Sequence, residues 1–335
     1  MNCKENNNNS QNVFKLKEFL HDSLSFCDII DNYAKKIQYN NLINNVHIKE
    51  HNQKYTDLDW LIQKSFENII KTKYPYINIV SEENTSLNIN ISESHELLQN
   101  TSNTSLTTNT LSSLTIFNEF DINIEPNTNI TLFIDPIDGT NALIKHKYEA
   151  VTVLIGICVN NKPLFGLIHF PFQTNKHKTP ISYFNFPTQG IYEYQHSLSN
   201  FLKLTPQHKS LNEWNFIISS SRTKPSMLNF IAHFNNANYI MDSGLGNKAI
   251  QSIINDYVYF TTGKGSISYW DICAGDCIAR EIGGGCFDLK GKLIEYNNNN
   301  KDDWSIKDNV FFVSDKRRVD IFVQKVEKSK YDEDA

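Results

Sequence analysis

Residues 134–140 read Ile134-Asp135-Pro136-Ile137-Asp138-Gly139-Thr140 and directly follow the apolar pair Leu132-Phe133. The pattern predicts a strand that ends in two closely spaced carboxylates, where the proline restricts the backbone and the glycine permits an unusual dihedral angle. Carboxylates fixed beside exposed carbonyl groups, such as that of Ile137, suit a hard divalent cation, which takes oxygen ligands. The alternative interpretation is structural, because Asp-Pro and Asp-Gly are also common turn dipeptides.

Two further acidic segments favour the metal interpretation. Glu82-Glu83 follows the apolar segment Ile77–Val80, and adjacent acids at a strand end repel each other unless a cation lies there. Trp270-Asp271 begins an apolar helical pattern, where an aspartate can also serve as an ordinary helix cap. Each segment alone is more often structural than functional. Together with residues 134–140 they fit an oxygen-rich Mg²⁺ site assembled from distant parts of the chain.

The composition excludes several classes of protein. The chain has 335 residues, of which 40% are hydrophobic, so it can build a full core and is not disordered as a whole. Its 32 Lys+Arg against 37 Asp+Glu give a formal net charge of −5, which argues against a dedicated nucleic-acid binder. No apolar run approaches the roughly 18–20 residues of a membrane span. We therefore expect neither a nucleic-acid nor a membrane partner.

The N-terminus and the cysteines indicate the cellular compartment. The first residues lack the apolar region of a secretory signal, and the six cysteines are too sparse for a disulfide framework. Cys273 and Cys277 are placed on similar faces of a helix, but no second Cys/His pair with zinc-ligand spacing accompanies them. We interpret them as buried thiols, and we expect a reducing, cytoplasmic location.

Apolar spacing outlines the order of elements. It predicts helices over 14–37, from Thr56-Asp57 to Pro75, and over 227–233, 248–254 and 271–282. It predicts strands over 77–80, 132–134, 151–158, 164–170, 216–219 and 257–261. Strands and helices do not alternate regularly, so a dinucleotide-binding fold is not favoured. Residues 84–131 are rich in Asn, Ser and Thr and lack Gly, which is more typical of a partly disordered surface insertion than of a functional lid.

The three acidic segments resemble, in order, the metal motifs of the lithium-sensitive inositol monophosphatase superfamily, which are Mg²⁺-dependent phosphatases. The motifs are Glu82-Glu83, Asp135-Pro136-Ile137-Asp138-Gly139-Thr140 and Trp270-Asp271-Ile272-Cys273-Ala274. The resemblance runs from about residue 14 to 325. It implies an α/β (α+β) fold, a layered αβαβα sandwich of two domains with the site at their junction. We expect a flexible Asn-rich N-terminus over 1–13, an N-terminal domain over 14–190 that carries the insertion at about 84–131, and a C-terminal domain over 191–335.

Within the superfamily the chain is most similar to the 3′(2′),5′-bisphosphate nucleotidases. The similarity lies in residues 151–157, Ser219-Ser220-Ser221-Arg222 and Gly244-Leu245-Gly246-Asn247-Lys248. It implies release of the 3′-phosphate of 3′-phosphoadenosine 5′-phosphate, giving AMP, with the corresponding phosphosulfate as a second substrate. Lithium inhibition and a place in sulfur metabolism are implied in the same way.

The chain departs from the nucleotidase pattern at three places. Asn141-Ala142 stands where Lys-Glu is common, Lys224 stands where histidine is common, and Gly283-Gly284-Gly285 is similar to inositol polyphosphate 1-phosphatases. Hydrolysis of an inositol bisphosphate is therefore an alternative function. A catalytically silent nucleotide-binding scaffold is a second alternative.

The resemblance implies roles for particular residues. Two or three Mg²⁺ ions would be bound by Glu82, Asp135, the Ile137 carbonyl, Asp138 and Asp271. The attacking water would be oriented and deprotonated by Asp59 together with Thr140. The substrate would be held by Ser221, Lys224, Gly244 and Lys248, with the backbone N–H groups of Gly244 to Asn247 cradling a phosphate. For Lys248 the alternative is an exposed helix lysine. The expected partner is a small phosphate monoester, and the protein is expected to be a monomer or a homodimer.

Overall fold

The computed structural model describes residues 13–40, 46–48, 54–83, 117, 121–125, 128–261, 267–297, 303–329 and 331. Within these ranges the α-helices are α1 (Leu16–Asn40), α2 (Asp57–Lys73), α3 (Thr140–Ile144), α4 (Pro225–Ile231), α5 (Leu245–Asn255), α6 (Tyr269–Glu281) and α7 (Val319–Ser329). The strands are β1 (Phe14–Lys15), β2 (Val46–Ile48), β3 (Lys54–Thr56), β4 (Asn78–Ser81), β5 (Asn123–Ile124), β6 (Ile130–Asp138), β7 (Thr152–Val159), β8 (Lys162–Phe170), β9 (Ile181–Phe186), β10 (Gly190–Gln195), β11 (Asn200–Leu204), β12 (Trp214–Ser219), β13 (Ala237–Asp242), β14 (Val258–Phe260), β15 (Gly285–Asp288) and β16 (Val310–Val313).

Two sheets carry the helices. The larger has the strand order β11-β10-β9-β8-β7-β6-β4 and is antiparallel except for the parallel pair β4 and β6. The smaller has the order β13-β12-β14-β16-β15, in which β12 runs parallel to both β13 and β14. Two short antiparallel pairs, β1 with β5 and β2 with β3, lie outside these sheets.

The layers follow from alternation along the strands. In β6, Leu132 and Ile134 pack into the core beneath α1 and α2, whereas Phe133 packs into the core that contains α5 and α6. A third core joins the smaller sheet to α4 and α7 through residues such as Phe230 and Phe322. Helices thus cover both outer faces and fill the space between the two sheets. The predicted αβαβα sandwich is confirmed.

Strand β6 extends through the acidic segment. The apolar run in the sequence stops at Asp135, but the strand continues to Asp138. Asp135 pairs with Leu154 and Asp138 pairs with Thr152, so β6 accommodates one extra residue between these two pairs. A bulge of this kind bends a strand and redirects its side chains. It is consistent with Pro136, which has no N–H for the ladder.

The predicted helices and strands are present, with shifted ends. The first predicted helix begins at Leu16, because Phe14 and Lys15 form β1 against Asn123–Ile124. The turn between β7 and β8 contains Asn160 and Asn161, which both have positive φ angles of 49° and 65°. Asparagine tolerates this conformation better than most residues, which explains a tight hairpin at this place.

The described parts of the predicted insertion contribute to the core. Phe117 is 1% exposed and its ring stacks on Phe186 at 4.5 Å between centroids. Ile124 and Ile130 are also buried, and β6 already begins at Ile130. The prediction of a surface insertion is therefore wrong for these positions, because tertiary packing recruits apolar residues from a polar stretch. Residues 84–116, 118–120 and 126–127, like 1–12, lie outside the described residues.

The change from one sheet to the other comes later than predicted. The sequence places a domain boundary between residues 190 and 191, but β10 and β11 still belong to the larger sheet. The larger sheet ends at Leu204 and the smaller begins at Trp214. The hairpin of β10 and β11 extends the sheet by antiparallel pairing, so no boundary separates it from β9.

Two further predictions concern the burial of the cysteines and the absence of a membrane-spanning segment. Cys27, Cys158, Cys273, Cys277 and Cys286 are buried free thiols, as the sequence predicts, and Cys3 lies outside the described residues. In the part of the chain that the structure describes, no helix combines the length and apolar character needed to cross a membrane.

Candidate metal and phosphate site

Three distant acidic segments meet at one cavity of about 380 Å³. Strands β4 and β6 are parallel neighbours, so Glu82, which follows β4, and Asp135 and Asp138, near the end of β6, lie at the same edge of the sheet. Asp271 enters from the first turn of α6, which packs on this sheet. The cavity is also lined by Ile137 and by several residues named below. The structure thus brings together every residue that the sequence proposes as a metal ligand.

Two glycines let the segments approach. A Cβ on Gly244 would lie 2.2 Å from the Ala150 carbonyl oxygen, and a Cβ on Gly139 would lie 2.8 Å from the same atom. Both glycines also have positive φ angles, 74° and 91°. Only residues without a side chain can bring the start of α5 and the end of β6 together around Ala150.

Asp138 is held by the start of α5. Its carboxylate accepts hydrogen bonds from the backbone N–H groups of Leu245 at 2.9 Å and Gly246 at 2.7 Å, and from the Thr152 hydroxyl at 2.8 Å. The positive end of the helix dipole therefore acts on a carboxylate of the cavity. The prediction that these N–H groups cradle a phosphate is wrong for Leu245 and Gly246, whose donors are already used.

Burial makes the acidic residues unfavourable as free anions. It raises the pKa of Asp135 well above the usual range, and the nearby Glu82, Asp138 and Asp271 raise it further. It raises the pKa of Asp271 to about 8, again with a contribution from Glu82. A divalent cation would compensate these charges. Carboxylate and carbonyl oxygens are the ligands that Mg²⁺ prefers, so the residues present fit this ion.

Asp59 and Thr140 form a hydrogen-bonded pair beside the acidic residues. The Thr140 hydroxyl lies 3.0 Å from Asp59 Oδ1 and 3.1 Å from the Ile137 carbonyl oxygen. The other Asp59 oxygen accepts hydrogen bonds from the backbone N–H of Thr56 at 2.8 Å and from its hydroxyl at 2.5 Å. Burial raises the pKa of Asp59 to about 7, against the effect of the Thr56 hydrogen bonds. Thr140 lines the cavity, whereas Asp59 is completely buried behind it.

Asp59 and Asp271 occupy equivalent positions in their helices. Each is the third residue of its helix and accepts a hydrogen bond from the backbone N–H of the residue before the helix, Thr56 and Ser268 respectively. The capping interpretation of Asp271 is therefore correct, and it does not compete with a role in the cavity. The capping hydrogen bonds fix the side-chain orientation of Asp59 and Asp271 at the site.

The proposed substrate residues are only partly brought together. Ser221, Gly244 and Lys248 line the cavity, but Lys224, at the start of α4, is not among the lining residues. Lys248 is 4% exposed, so the alternative of an exposed helix lysine is wrong. Burial lowers the pKa of Lys248 to about 8, although Asp138 counteracts this effect. Its ammonium also lies 5.0 Å from the ring centre of Tyr259.

Sequence reasoning missed several cations of the cavity. They are Lys54, Lys145, Lys147 and Arg222, which line it together with Lys248. Lys145 and Lys147 follow Thr140 closely in the sequence, and this proximity to a predicted site residue could have indicated that they line the same cavity. Arg222, next to Ser221 in the chain, lines the cavity, whereas Lys224 does not. A cavity with both carboxylates and cations suits an anionic ligand bound next to metal ions.

Comparisons with known proteins identify the family. A sequence model of the inositol monophosphatase family matches residues 25–329, so the chain belongs to this family. It is 30% identical to inositol monophosphatase 3 of Danio rerio over 182 residues, which are 51% of this chain and 47% of that protein. It is 29% identical to 3′(2′),5′-bisphosphate nucleotidase 1 of Rattus norvegicus over 172 residues, 50% of this chain and 52% of that protein. The chain thus spans about half the length of these curated relatives in the matches.

A solved structure shares the fold. The crystal structure of an IMPase/NADP phosphatase complexed with Mg²⁺ and phosphate superposes with a TM-score of 0.64. The superposition covers 93% of this chain and 95% of that chain, at 15% sequence identity. Similarity at this level of identity establishes the architecture alone.

Proposed function

We propose that this protein is a Mg²⁺-dependent phosphatase that releases the 3′-phosphate of 3′-phosphoadenosine 5′-phosphate, with the corresponding phosphosulfate as a second substrate. The observation that carries the proposal is the meeting of four carboxylates, Glu82, Asp135, Asp138 and Asp271, in one cavity with Thr140. A phosphate monoester dianion repels nucleophiles, so its hydrolysis requires charge neutralisation. The cavity provides oxygen ligands for cations on one side and basic side chains around them.

Different residues would bind the metal ions, accept the proton and contact the substrate. Glu82, Asp135, Asp138, Asp271 and the Ile137 carbonyl would hold two or three Mg²⁺ ions, which when bound supply an acidic water and stabilise the leaving oxygen. Thr140 would orient the attacking water through its hydroxyl, and Asp59 would accept the proton at Oδ1, to which that hydroxyl is hydrogen-bonded. Ser221, Gly244 and Lys248 would contact the substrate.

The number of cations supports a substrate with a second anionic group. The sides of the cavity that include Lys145, Lys147 and Arg222 offer more positive charge than a single phosphate beside metal ions requires. A nucleotide bisphosphate or an inositol bisphosphate would satisfy this condition. The similarity of residues 151–157 to the nucleotidases, and the match to a protein named as a bisphosphate nucleotidase, support the nucleotide. Hydrolysis of an inositol bisphosphate remains the alternative.

A substrate panel tests the substrate class. Phosphate release is measured at fixed Mg²⁺ from 3′-phosphoadenosine 5′-phosphate, inositol 1,4-bisphosphate and AMP, with a second series that contains lithium. We expect the highest kcat/KM for the adenosine bisphosphate and lower rates with lithium. A higher kcat/KM for the inositol substrate would overturn the nucleotide assignment and leave the metal proposal standing.

A matched pair of variants tests the metal proposal. Glu82 lines the cavity, whereas its neighbour Glu83 is buried and its backbone pairs with Gln63. We expect Glu82→Gln to lower kcat/KM at least about 100-fold, because a neutral amide binds Mg²⁺ more weakly than a carboxylate does. Glu83→Gln should retain activity. If Glu82→Gln were as active as Glu83→Gln and the wild type, the metal site would be rejected. Mg²⁺ binding by the wild type without turnover of any monoester would favour the silent scaffold instead.

We also propose a cytoplasmic location and a monomeric or homodimeric state. The location is supported by the free, buried cysteines of the described residues. Imaging of a fluorescent fusion tests the location, and analytical ultracentrifugation tests the oligomeric state. Retention of the fusion in a secretory organelle would reject the first proposal.

A further inference from the structure

A second group of potential metal ligands lies outside the cavity. Asp31, His169 and His196 each offer one ligand atom, and these atoms all lie within 4.8 Å of one another. They come from separate elements, α1, β8 and the short 3₁₀ helix that follows β10. None of the three lines the cavity described above. The candidate phosphatase mechanism uses none of them.

The two rings face the same carboxylate. His169 Nε2 lies 2.9 Å from Asp31 Oδ1, and His196 Nδ1 lies 3.6 Å from Asp31 Oδ2. Ligand atoms around one tetrahedral zinc ion are about 3.3 Å apart, given Zn–N and Zn–O distances of about 2.0–2.2 Å. The observed separations therefore need only small side-chain shifts to admit an ion. Asp28, one helical turn before Asp31, lies 2.7 Å from His196 Nδ1 on the half-exposed side of the group.

Ser182 supports both rings from behind. Its hydroxyl oxygen lies 3.0 Å from His169 Nδ1 and 2.7 Å from His196 Nε2, which are the nitrogens that point away from Asp31. When a metal takes the inner nitrogens, both outer nitrogens carry a proton, and the two lone pairs of one hydroxyl can accept both. Metal-bound histidines almost always donate their second N–H to such a partner. Ser182 and His169 are direct partners across β8 and β9, so the sheet itself sets this arrangement.

The group is almost completely buried, so its charges and polar atoms must be compensated inside the protein. His169 and Ser182 are 0% exposed, Asp31 is 4% exposed and His196 is 9% exposed. Polar groups at such positions are costly unless they are fully paired, and a carboxylate away from water is best compensated by a cation. Two imidazoles with carboxylates select a transition metal such as zinc, whereas Mg²⁺ prefers oxygen ligands alone.

We propose that Asp31, His169 and His196 form a zinc-class metal site that joins α1 to the larger sheet, with Asp28 recruited from the half-exposed side as the fourth ligand when the ion binds. The ion would replace the hydrogen bonds between the inner ring nitrogens and the carboxylates, and Ser182 would hold both rings in the required orientation. The site is structural, because it lies apart from the cavity. It is independent of the proposed phosphatase function.

Zinc binding by the full-length protein tests this proposal. The protein is stripped with a chelator, equilibrated with excess Mg²⁺ and then titrated with Zn²⁺, and the bound zinc is measured by elemental analysis. We expect the wild type to bind one zinc more than His196→Gln, whose affinity at this site falls at least about 100-fold. His177→Gln is the matched control, since His177 is also buried but stands outside the group, and it should behave as wild type. Equal zinc content of the wild type and His196→Gln would overturn the proposal.

A second measurement does not depend on a variant. Long-range ¹H–¹⁵N spectra resolve the side chains of the chain's 10 histidines. Addition of Zn²⁺ in excess Mg²⁺ should shift two histidine signals of the wild type together, with saturation at one equivalent. If His196→Gln fails to fold, as judged by circular dichroism, these spectra decide the question. Histidine signals that do not move with zinc would show that the group is only a hydrogen-bonded network.

Discussion

Asp59→Asn separates the chemical role of Asp59 from its structural role. In the wild type, Asp59 Oδ2 accepts both hydrogen bonds from Thr56, and Oδ1 faces the Thr140 hydroxyl. An asparagine keeps its carbonyl oxygen toward Thr56, so its amide group must face Thr140. The amide then donates to the Thr140 oxygen, and the hydroxyl proton is left for the Ile137 carbonyl at 3.1 Å. The variant can no longer accept a proton from Thr140.

The expected magnitude follows from this reversal. Loss of a positioned general base lowers kcat by about 10² to 10⁴, which corresponds to about 3–5 kcal/mol of activation free energy. The free energy of unfolding should change by less than about 2 kcal/mol, because the helix cap survives and a buried charge is removed. Activity and stability are therefore expected to separate clearly in this variant.

The assay is phosphate release from 3′-phosphoadenosine 5′-phosphate at saturating Mg²⁺, together with denaturant unfolding. Thr140→Ala should lose a comparable factor in kcat, while Thr140→Ser keeps the hydroxyl and most of the activity. Because Asp59 acts through Thr140, the double variant Asp59→Asn/Thr140→Ala should be hardly worse than either single variant. Asp57→Asn, in the same helical turn, serves as the control and should remain active.

Two results would refute this reasoning. Activity of Asp59→Asn within about threefold of the wild type would show that Asp59 is only a helix cap. Additive losses in the double variant would show that Asp59 and Thr140 act separately rather than as one proton path.

Three further predictions concern stability. Addition of Mg²⁺ to the metal-free protein should raise Tm, because the ion relieves repulsion among the buried carboxylates of the cavity. Burial opposes ionisation of Asp22, but hydrogen-bond donors that include Lys73 hold its pKa below the usual 3.8. The ionised Asp22 therefore stabilises the fold, and Asp22→Asn should lower the free energy of unfolding by about 2 kcal/mol at pH 7. This difference should disappear as the pH falls below 3.8, where Asp22 becomes protonated. Gly244→Ala should cost about 3 kcal/mol or more, because its Cβ meets the Ala150 oxygen and its φ is positive.

Controls and contrary outcomes complete these tests, all measured by thermal or denaturant unfolding. A Tm that does not respond to Mg²⁺ would argue against an ion among the carboxylates. The exposed Asp320→Asn should show no comparable loss at pH 7, and a loss for Asp22→Asn that persists unchanged at low pH would reject the ionic contribution. Gly283 also has a positive φ, but nothing lies within 4 Å of its Cβ position, so Gly283→Ala should cost only about 1–2 kcal/mol. Equal losses at both glycines would reject the contact with Ala150.

Several elements could not be predicted from the sequence for a physical reason. Strand β9 is buried at every position, so it shows no alternation of apolar and polar residues. Strand β13 lies at the edge of the smaller sheet and exposes Tyr239, Ile240 and Met241. Its apolar residues are therefore not buried, contrary to what an apolar run in the sequence would suggest. In both strands the environment is set by neighbouring strands and not by the local sequence.

The sequence by itself determined the features that depend on neighbours within a few positions. These are the amphipathic helices, the start of α2 at Thr56-Asp57, and the carboxylates carried to the end of β6, since backbone preference and periodicity are local. Its motifs also identified every acid that lines the cavity among the described residues. The tertiary structure decided which cations accompany these acids, since it places Arg222 but not Lys224 in the cavity lining. It also directed the first N–H groups of α5 to Asp138, which is 107 positions away from Leu245. Such contacts depend on distances between remote segments, which the packing of two sheets and their helices sets and no local spacing encodes.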